Sequence, residues 1–472
     1  MATNPLFTRL LENIPDYQSF LTVDELDESS RALAEHYPDA VSLFEMGRTK
    51  DGHPLLCLKI GDGPQNALMF GCPHPNEPIG TMMLEYFTEE LAKSRELRDA
   101  LGYTWYIVKA WDADGLRLNE KWLKGPYTIY NYSRNFFRPA GHRQVDWTFP
   151  IDYKDLHFHD PIPETTAMMA LIDQVKPSFI YSLHNAGFGG VYWYLSRPLP
   201  ALYEEMYAAA DRVKVPLNLG EPEAPYCVPF APAIYQSLGI EQDYDYTEKY
   251  APPGTDIGAR FKVGNCSESY ARTRHGSFTL LTELPYFFDK RIMDLSTGTM
   301  TRRDAVLRSL ETSEESDRFL LETMELSREY FQPLNPFKLA LEAFTKPREN
   351  DATRNMVNTN PDFAKTATVA EEFDNLLLSR FYKALSYGML IRVNEYELEE
   401  MARTGEENPR KDAALKTARD IAISRHREIT DQLEQEFQYE VVPIRKLVSI
   451  QLECGLLVSQ ALREEKGGDN NG

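Results

Sequence analysis

Apolar positions in the first forty residues recur at helical spacing, Leu6, Leu10 and Leu11 and then Val23, Leu26, Leu33 and Ala34, which predicts two amphipathic helices. After them the period changes. Residues 41–44 and 55–60 are apolar runs on either side of Lys50-Asp51-Gly52-His53, a pattern that predicts a hairpin closed at an Asp-Gly turn. The short apolar run 67–70, an amphipathic stretch over about 78–94 and the run 105–108 repeat a β-α-β rhythm. Further apolar runs at 179–184, 191–196 and 278–283 predict strands, with helices starting near Glu164 and near residue 200. Between these elements, residues 111–160 and the Pro- and Tyr-rich stretch up to 265 read as long loops. Loops of that length in a compact domain usually carry function.

From about residue 297 the strand signals fade and four long amphipathic runs follow, at 300–332, 366–388, 410–437 and 440–464. Residues 346–361 are polar and read as a linker. The expected organisation is an N-terminal helical segment over 1–40, an α/β catalytic unit over 41–296, a helical region over 297–464 and a disordered tail over 465–472. The apolar stripes of the helical region must be covered, either by the sheet domain or by a second copy of the chain.

At 472 residues the chain is too long for one ordinary core. Its net charge of −21 disfavours nucleic acid and anionic membranes as partners. No basic segment followed by an apolar one opens the sequence, and no run approaches a membrane span. The five cysteines are scattered and form no C-x-x-C, so neither a disulfide framework nor a thiolate metal cage is expected. These features point to a cytoplasmic protein.

The candidate chemistry sits at the ends of the apolar runs. Gly71-Cys72-Pro73-His74-Pro75-Asn76-Glu77-Pro78 places His74 and Glu77 three residues apart on a strand-to-helix turn, and both are usual zinc donors. His184 ends another apolar run and offers a third ligand, giving an N, O, N set with an open position, the arrangement of a catalytic metal site. Glu283 ends the run 278–283 and is the candidate general acid/base for water. The aromatic loop 130–139 carries Arg134 and Arg138, either of which can hold an oxyanion or a carboxylate.

The order of these motifs resembles that of the M14 zinc carboxypeptidases, within the wider metallocarboxypeptidase and aspartoacylase superfamily. The resemblance runs from Glu45-Met46-Gly47-Arg48 to Leu284. It rests on the hairpin Gly47-Arg48-Thr49-Lys50-Asp51-Gly52, the HxxE pair His74 and Glu77, and the turn Asp112-Ala113-Asp114-Gly115. It continues in the helix entry Pro161-Ile162-Pro163-Glu164-Thr165, Ser182-Leu183-His184 and Thr282-Glu283-Leu284. It implies a three-layer α/β/α sandwich with a mixed twisted sheet, one zinc ion and amide hydrolysis. Two parts depart from it. Val145-Asp146-Trp147-Thr148-Phe149 has Thr and Phe where such enzymes carry an Asn-Arg pair for the substrate's C-terminal carboxylate, which leaves Arg134, Arg138 or Arg143 to replace it. The substrate-covering tyrosine is also missing near Phe261, with Tyr250 and Tyr270 as substitutes.

The expected activity is a zinc-dependent hydrolase, carboxypeptidase-like, acting on a peptide. The competing readings are a deacylase of N-acyl amino acids, of the aspartoacylase type, and a non-catalytic peptide-binding or scaffold protein.

Overall fold

The computed structural model describes residues 4–345 and 350–469. Nine strands form one mixed sheet: β1 (Val41–Arg48), β2 (Pro54–Ile60), β3 (Gln65–Gly71), β4 (Tyr103–Val108), β5 (Phe179–His184), β6 (Tyr192–Leu195), β7 (Pro229–Ala231), β8 (Ile234–Gln236) and β9 (Phe278–Glu283). Their spatial order is β1-β2-β4-β3-β5-β9-β6-β8-β7. The four central strands β4, β3, β5 and β9 run parallel, and antiparallel pairs flank them. Every residue of β5 is buried. That explains its unbroken apolar run: a parallel strand covered on both faces shows no alternation.

The two faces of the sheet are visible in β3. Met69 points into one core with the helix α3 (Ile79–Lys93), while Leu68 and Phe70 point into the other, with Met168, Leu171 and Ile172 of the helix Pro163–Val175. The start of α3 lies so close to the sheet that a Cβ on Gly80 would sit 2.5 Å from the Leu183 Cβ. Past β4, the amides of Trp111 and Asp112 donate to the carbonyls of Gly71 and Cys72, at 3.0 Å each, and Asp112 caps the following helix by accepting from Gly115. The turns after β3 and β4 are thereby locked together at the carboxyl edge of the sheet.

The sequence places an irregular loop over 111–160, but the structure has two helices there, Ala113–Leu123 and α4 (Ile129–Asn135). Aromatic residues at helical spacing filled their buried faces and hid the pattern. A further helix, Ile240–Tyr250, lies in the second long loop. The C-terminal region is built on α5 (Arg302–Glu325), α6 (Ser379–Thr404), α7 (Pro409–Glu436) and α8 (Ile444–Asp469). It also holds short strands, among them Thr297–Thr301 paired with Thr366–Thr368. Within the stretch expected to be a linker, 350–359 form a helix, and 346–349 lie outside the described residues. The expected tail is helical as far as Asp469, with 470–472 outside the described residues.

This region shares its core with the sheet. Leu447, Val448 and Leu452 of α8 belong to the same apolar cluster as Phe179, Tyr181 and Met82. The Tyr181 hydroxyl donates to the Gln451 carbonyl at 2.7 Å, and the Tyr103 hydroxyl to the Ser459 carbonyl at 3.1 Å. Among the described residues no helix is long and apolar enough to cross a membrane.

Candidate metal centre and active site

The strand register sets the site. Glu283, the last residue of β9, pairs with His184, the last of β5, and Gly71 at the end of β3 pairs with Leu183. The chain then turns through Cys72, whose φ of 54° lies in the left-handed region that non-glycine residues avoid, at a cost of about 1 kcal/mol. That turn carries His74 and Glu77 back over the end of β5. His74, Glu77 and His184 are all buried, and one ligand atom of each lies within 4.8 Å of the others.

The orientations of the two imidazoles are distinct. His184 Nε2 lies 2.7 Å from Ser182 Oγ, and its Nδ1 faces Glu77 Oε2 at 3.0 Å and Glu283 Oε1 at 3.7 Å. His74 Nδ1 is buried without any hydrogen-bond partner. Its ring lies 5.0 Å from that of His184 and 5.3 Å from Trp147. Glu283 Oε2 is likewise buried and unpartnered. Orphaned polar atoms beside a cluster of donor atoms are accounted for by a bound ion or water. Two imidazoles and a carboxylate converging on one point form a zinc donor set, so the residues fit the metal that the sequence implies.

The electrostatics of the cluster differ from group to group. Burial pulls the His74 ring well below the ordinary histidine range, with the charges of Arg138 and His184 adding to it. Burial also opposes a charge on His184, yet the hydrogen bond and charge of Glu77 override it and raise the ring's pKa. Glu283 is pushed well above the usual carboxylate range by burial and then by the charges of Glu77 and Glu223. A divalent cation among these groups favours the neutral imidazole and the ionised carboxylate.

The centre opens into a cavity of about 690 Å³. Eight carboxylates line it, among them Glu77, Glu221, Glu223, Glu283 and Asp374, and Arg138 is the one arginine or lysine among the described lining residues. Arg138 donates from Nη1 to Glu77 Oε1 at 2.9 Å and from Nε to Gln144 Oε1 at 3.1 Å, with its guanidinium 5.2 Å from the Trp147 ring. It is therefore the candidate arginine that the structure brings to the metal ligands.

The other sequence candidates lie elsewhere. Arg134 is paired with Glu395 of α6 at 2.5 Å and does not line the cavity. Arg143 sits on the single turn Gly141–Arg143, also outside the lining. Tyr250 packs against Tyr246 in a satellite cluster, and the Tyr270 hydroxyl donates to Asp173 at 2.9 Å behind the sheet. Proximity in sequence to Phe261 says nothing about the face a tyrosine occupies. Thr148 and Phe149 are buried: Thr148 Oγ1 bonds Thr165 Oγ1 at 2.6 Å, and Phe149 packs between Trp111 and Tyr270. Neither reaches the cavity.

Two residues of the site carry no sequence signal beyond their neighbours. The Asn185 side chain accepts from the Ile79 amide at 3.1 Å and donates to the Leu284 carbonyl at 3.0 Å, tying the ligand turn to the ends of β5 and β9. The Tyr286 hydroxyl donates to Asn185 Oδ1 at 2.8 Å and lies 3.1 Å from the Asn76 carbonyl.

A mixed sheet flanked by helices thus carries a buried His-Glu-His cluster, with Glu283 beside it, at its carboxyl edge. Residues 26–270 match the model of the zinc carboxypeptidase family, M14, and the chain belongs to that family, whose members are zinc enzymes. Human carboxypeptidase D is 21% identical over 301 residues, a match covering 59% of this chain and 20% of that protein. Rat mast cell carboxypeptidase A is 22% identical over 242 residues, covering 45% and 57%. The chain thus spans less than two thirds of the length of these relatives. Among solved structures, carboxypeptidase A from Helicoverpa armigera aligns with a TM-score of 0.37 at 15% identity, over 60% of this chain and 71% of that one. The metallo-carboxypeptidase from Burkholderia cenocepacia aligns with a TM-score of 0.33 at 15% identity, over 56% and 60%.

Proposed function

We propose that this protein hydrolyses an amide or peptide bond with one zinc ion held by His74, Glu77 and His184. The observation that carries the reading is the buried cluster of His74, Glu77 and His184, with His74 Nδ1 unpartnered and Glu283 Oε1 3.7 Å from His184 Nδ1. A zinc ion bound there would supply a Lewis acid that polarises the scissile carbonyl and acidifies water. Glu283 takes the proton from the attacking water at Oε2 and returns it to the leaving nitrogen. Arg138 turns its guanidinium from Glu77 to the carbonyl oxygen and holds the negative charge developing there. Ser182 fixes the His184 tautomer by binding Nε2, which leaves Nδ1 for the metal.

The substrate side departs from C-terminal recognition. A single arginine cannot hold both the developing oxyanion and a terminal carboxylate, and Thr148 and Phe149 are walled off from the cavity. This supports cleavage of an amide whose leaving side needs no free carboxylate. The deacylase reading requires an anion clamp for the substrate acid, which the carboxylate-rich lining opposes. The zinc-loaded protein, offered a library of peptides with free and amidated C-termini together with N-acyl amino acids, is expected to cleave free and amidated peptides within about tenfold of each other. Turnover confined to free-acid peptides or to N-acyl amino acids would overturn the reading.

A further inference from the structure

A buried cation of the C-terminal helices holds the backbone just before Arg138. Arg392, in the middle of α6, is 6% exposed and directs its guanidinium at backbone oxygens. Its Nη1 donates to the carbonyls of Asn135 and Phe136, at 2.7 and 3.0 Å, and its Nη2 to the carbonyl of Leu118 at 2.7 Å. The guanidinium also lies 4.3 Å from the Phe337 ring centre. Asn135 ends α4 and Phe136 is its C-cap, so two of these oxygens are among those the helix leaves without an internal partner. A cation at that end also meets the negative pole of the helix. Arg138 follows two residues later.

The rest of the contact points the same way. Asn119 receives the Phe137 amide on Oδ1 at 3.0 Å and donates to its carbonyl at 2.9 Å, which fixes the residue between the cap and Arg138. A Cβ on Gly388, one turn before Arg392, would lie 1.8 Å from the Ser133 carbonyl oxygen. Helix α6 therefore presses directly on the backbone of α4, and His426 of α7 reaches Ser133 Oγ at 2.8 Å. The exit direction of residues 136–138 is set by groups that lie more than 250 residues away in sequence.

We propose that Arg392 is a positioning residue for the reaction, capping α4 so that the segment 136–138 delivers Arg138 to the metal ligands. This rests on the reading of Arg138 as the oxyanion donor. It also gives the helical region a part in the chemistry rather than a packing role alone.

The test uses the full zinc-loaded chain and the variants R392M, R138M, their double variant and G388A. Two readouts are taken: affinity for inorganic phosphate, an oxyanion probe that needs no turnover, and kcat and KM on the best amide substrate. R392M is expected to retain its zinc, to bind phosphate about tenfold more weakly and to lose about tenfold in kcat with KM nearly unchanged. In the R138M background the same substitution is expected to add less than about twofold, because the two residues act in series. G388A keeps Arg392 but pushes α6 off the Ser133 carbonyl, so it is expected to move both readouts in the same direction. It carries the test if R392M does not fold. Wild-type phosphate affinity and kcat in R392M, or an undiminished effect of R392M in the R138M background, would overturn the proposal. A wild type that binds phosphate but hydrolyses nothing marks the failure of the hydrolase reading alone, and the phosphate arm then still decides the role of Arg392.

Discussion

Replacing Glu283 by glutamine separates the two demands that the site makes on that residue. Glu77 and Glu283 both flank His184 Nδ1, at 3.0 and 3.7 Å, so their near oxygens are no more than about 7 Å apart. Two ionised carboxylates at that separation repel by about 2 kcal/mol at an effective dielectric constant of about 20. In the metal-free protein, at a pH high enough to ionise Glu283, Glu283→Gln removes this repulsion together with a buried charge whose Oε2 has no partner, and keeps the side-chain shape. The expected gain in unfolding free energy is about 1–2 kcal/mol, read from urea denaturation after chelation. The loaded protein should respond oppositely in function. Without a group to accept and return the proton, kcat should fall by about 10²–10⁴ while zinc content stays the same. A variant that keeps wild-type turnover would refute the acid/base assignment. One that is less stable than the wild type without metal would refute the charge argument.

His184→Ala should lose most of the bound zinc after dialysis, measured by elemental analysis, because it removes one of three buried ligands. Full retention would take His184 out of the ligand set. Asp374, on the wall built by the helical region, has its carboxyl pushed up to about 7 by burial and by Glu221. The folded protein therefore binds a proton there that the unfolded chain, with an ordinary carboxyl near ~3.9, has released, and stability falls as pH rises from about 4 through 7. Asp374→Asn should raise the Tm at pH 8 by a few degrees and leave it nearly unchanged at pH 4, and an equal shift at both pH values would refute the assignment. Gly80→Ala should destabilise by about 1–3 kcal/mol in urea melts, since its methyl would meet the Leu183 Cβ at 2.5 Å; a neutral effect would mean that α3 is free to move away from the sheet.

What could be read from the sequence follows where the physics is local. The turn carrying His74 and Glu77 follows a buried run, and His184 and Glu283 end buried runs. Parallel strands gather their carboxyl ends, and the register brings Glu283 beside His184. The central strands were legible for the same reason, since unbroken apolar runs are what they require, whereas the short strands β7 and β8 lie in a stretch that reads as a loop. Sorting Arg138 from Arg134 and Arg143 was not legible, because it depends on the phase of α4 and on where that helix ends. Loop aromatics such as Trp122 and Tyr132 are buried helix-face residues that a reading of composition takes for irregular chain. Asn185, Tyr286 and Arg392 work through backbone oxygens or amides brought close only by the fold. No spacing rule could single them out.

Helix α8 has a consequence for how the molecule is made. It lies against β5 and α3, and Gly455 is so close to the Tyr181 ring that a Cβ there would be 2.7 Å from it. The strands that carry the catalytic groups leave the ribosome well before this helix does. During that interval the part of one sheet face that α8 covers, beside α3, is bare, and the nascent chain must hold that apolar surface away from its neighbours. Contacts between such distant parts of a chain form slowly. Completion of this core therefore waits for α8, and a nascent chain that lacks α8 would be a target for chaperones.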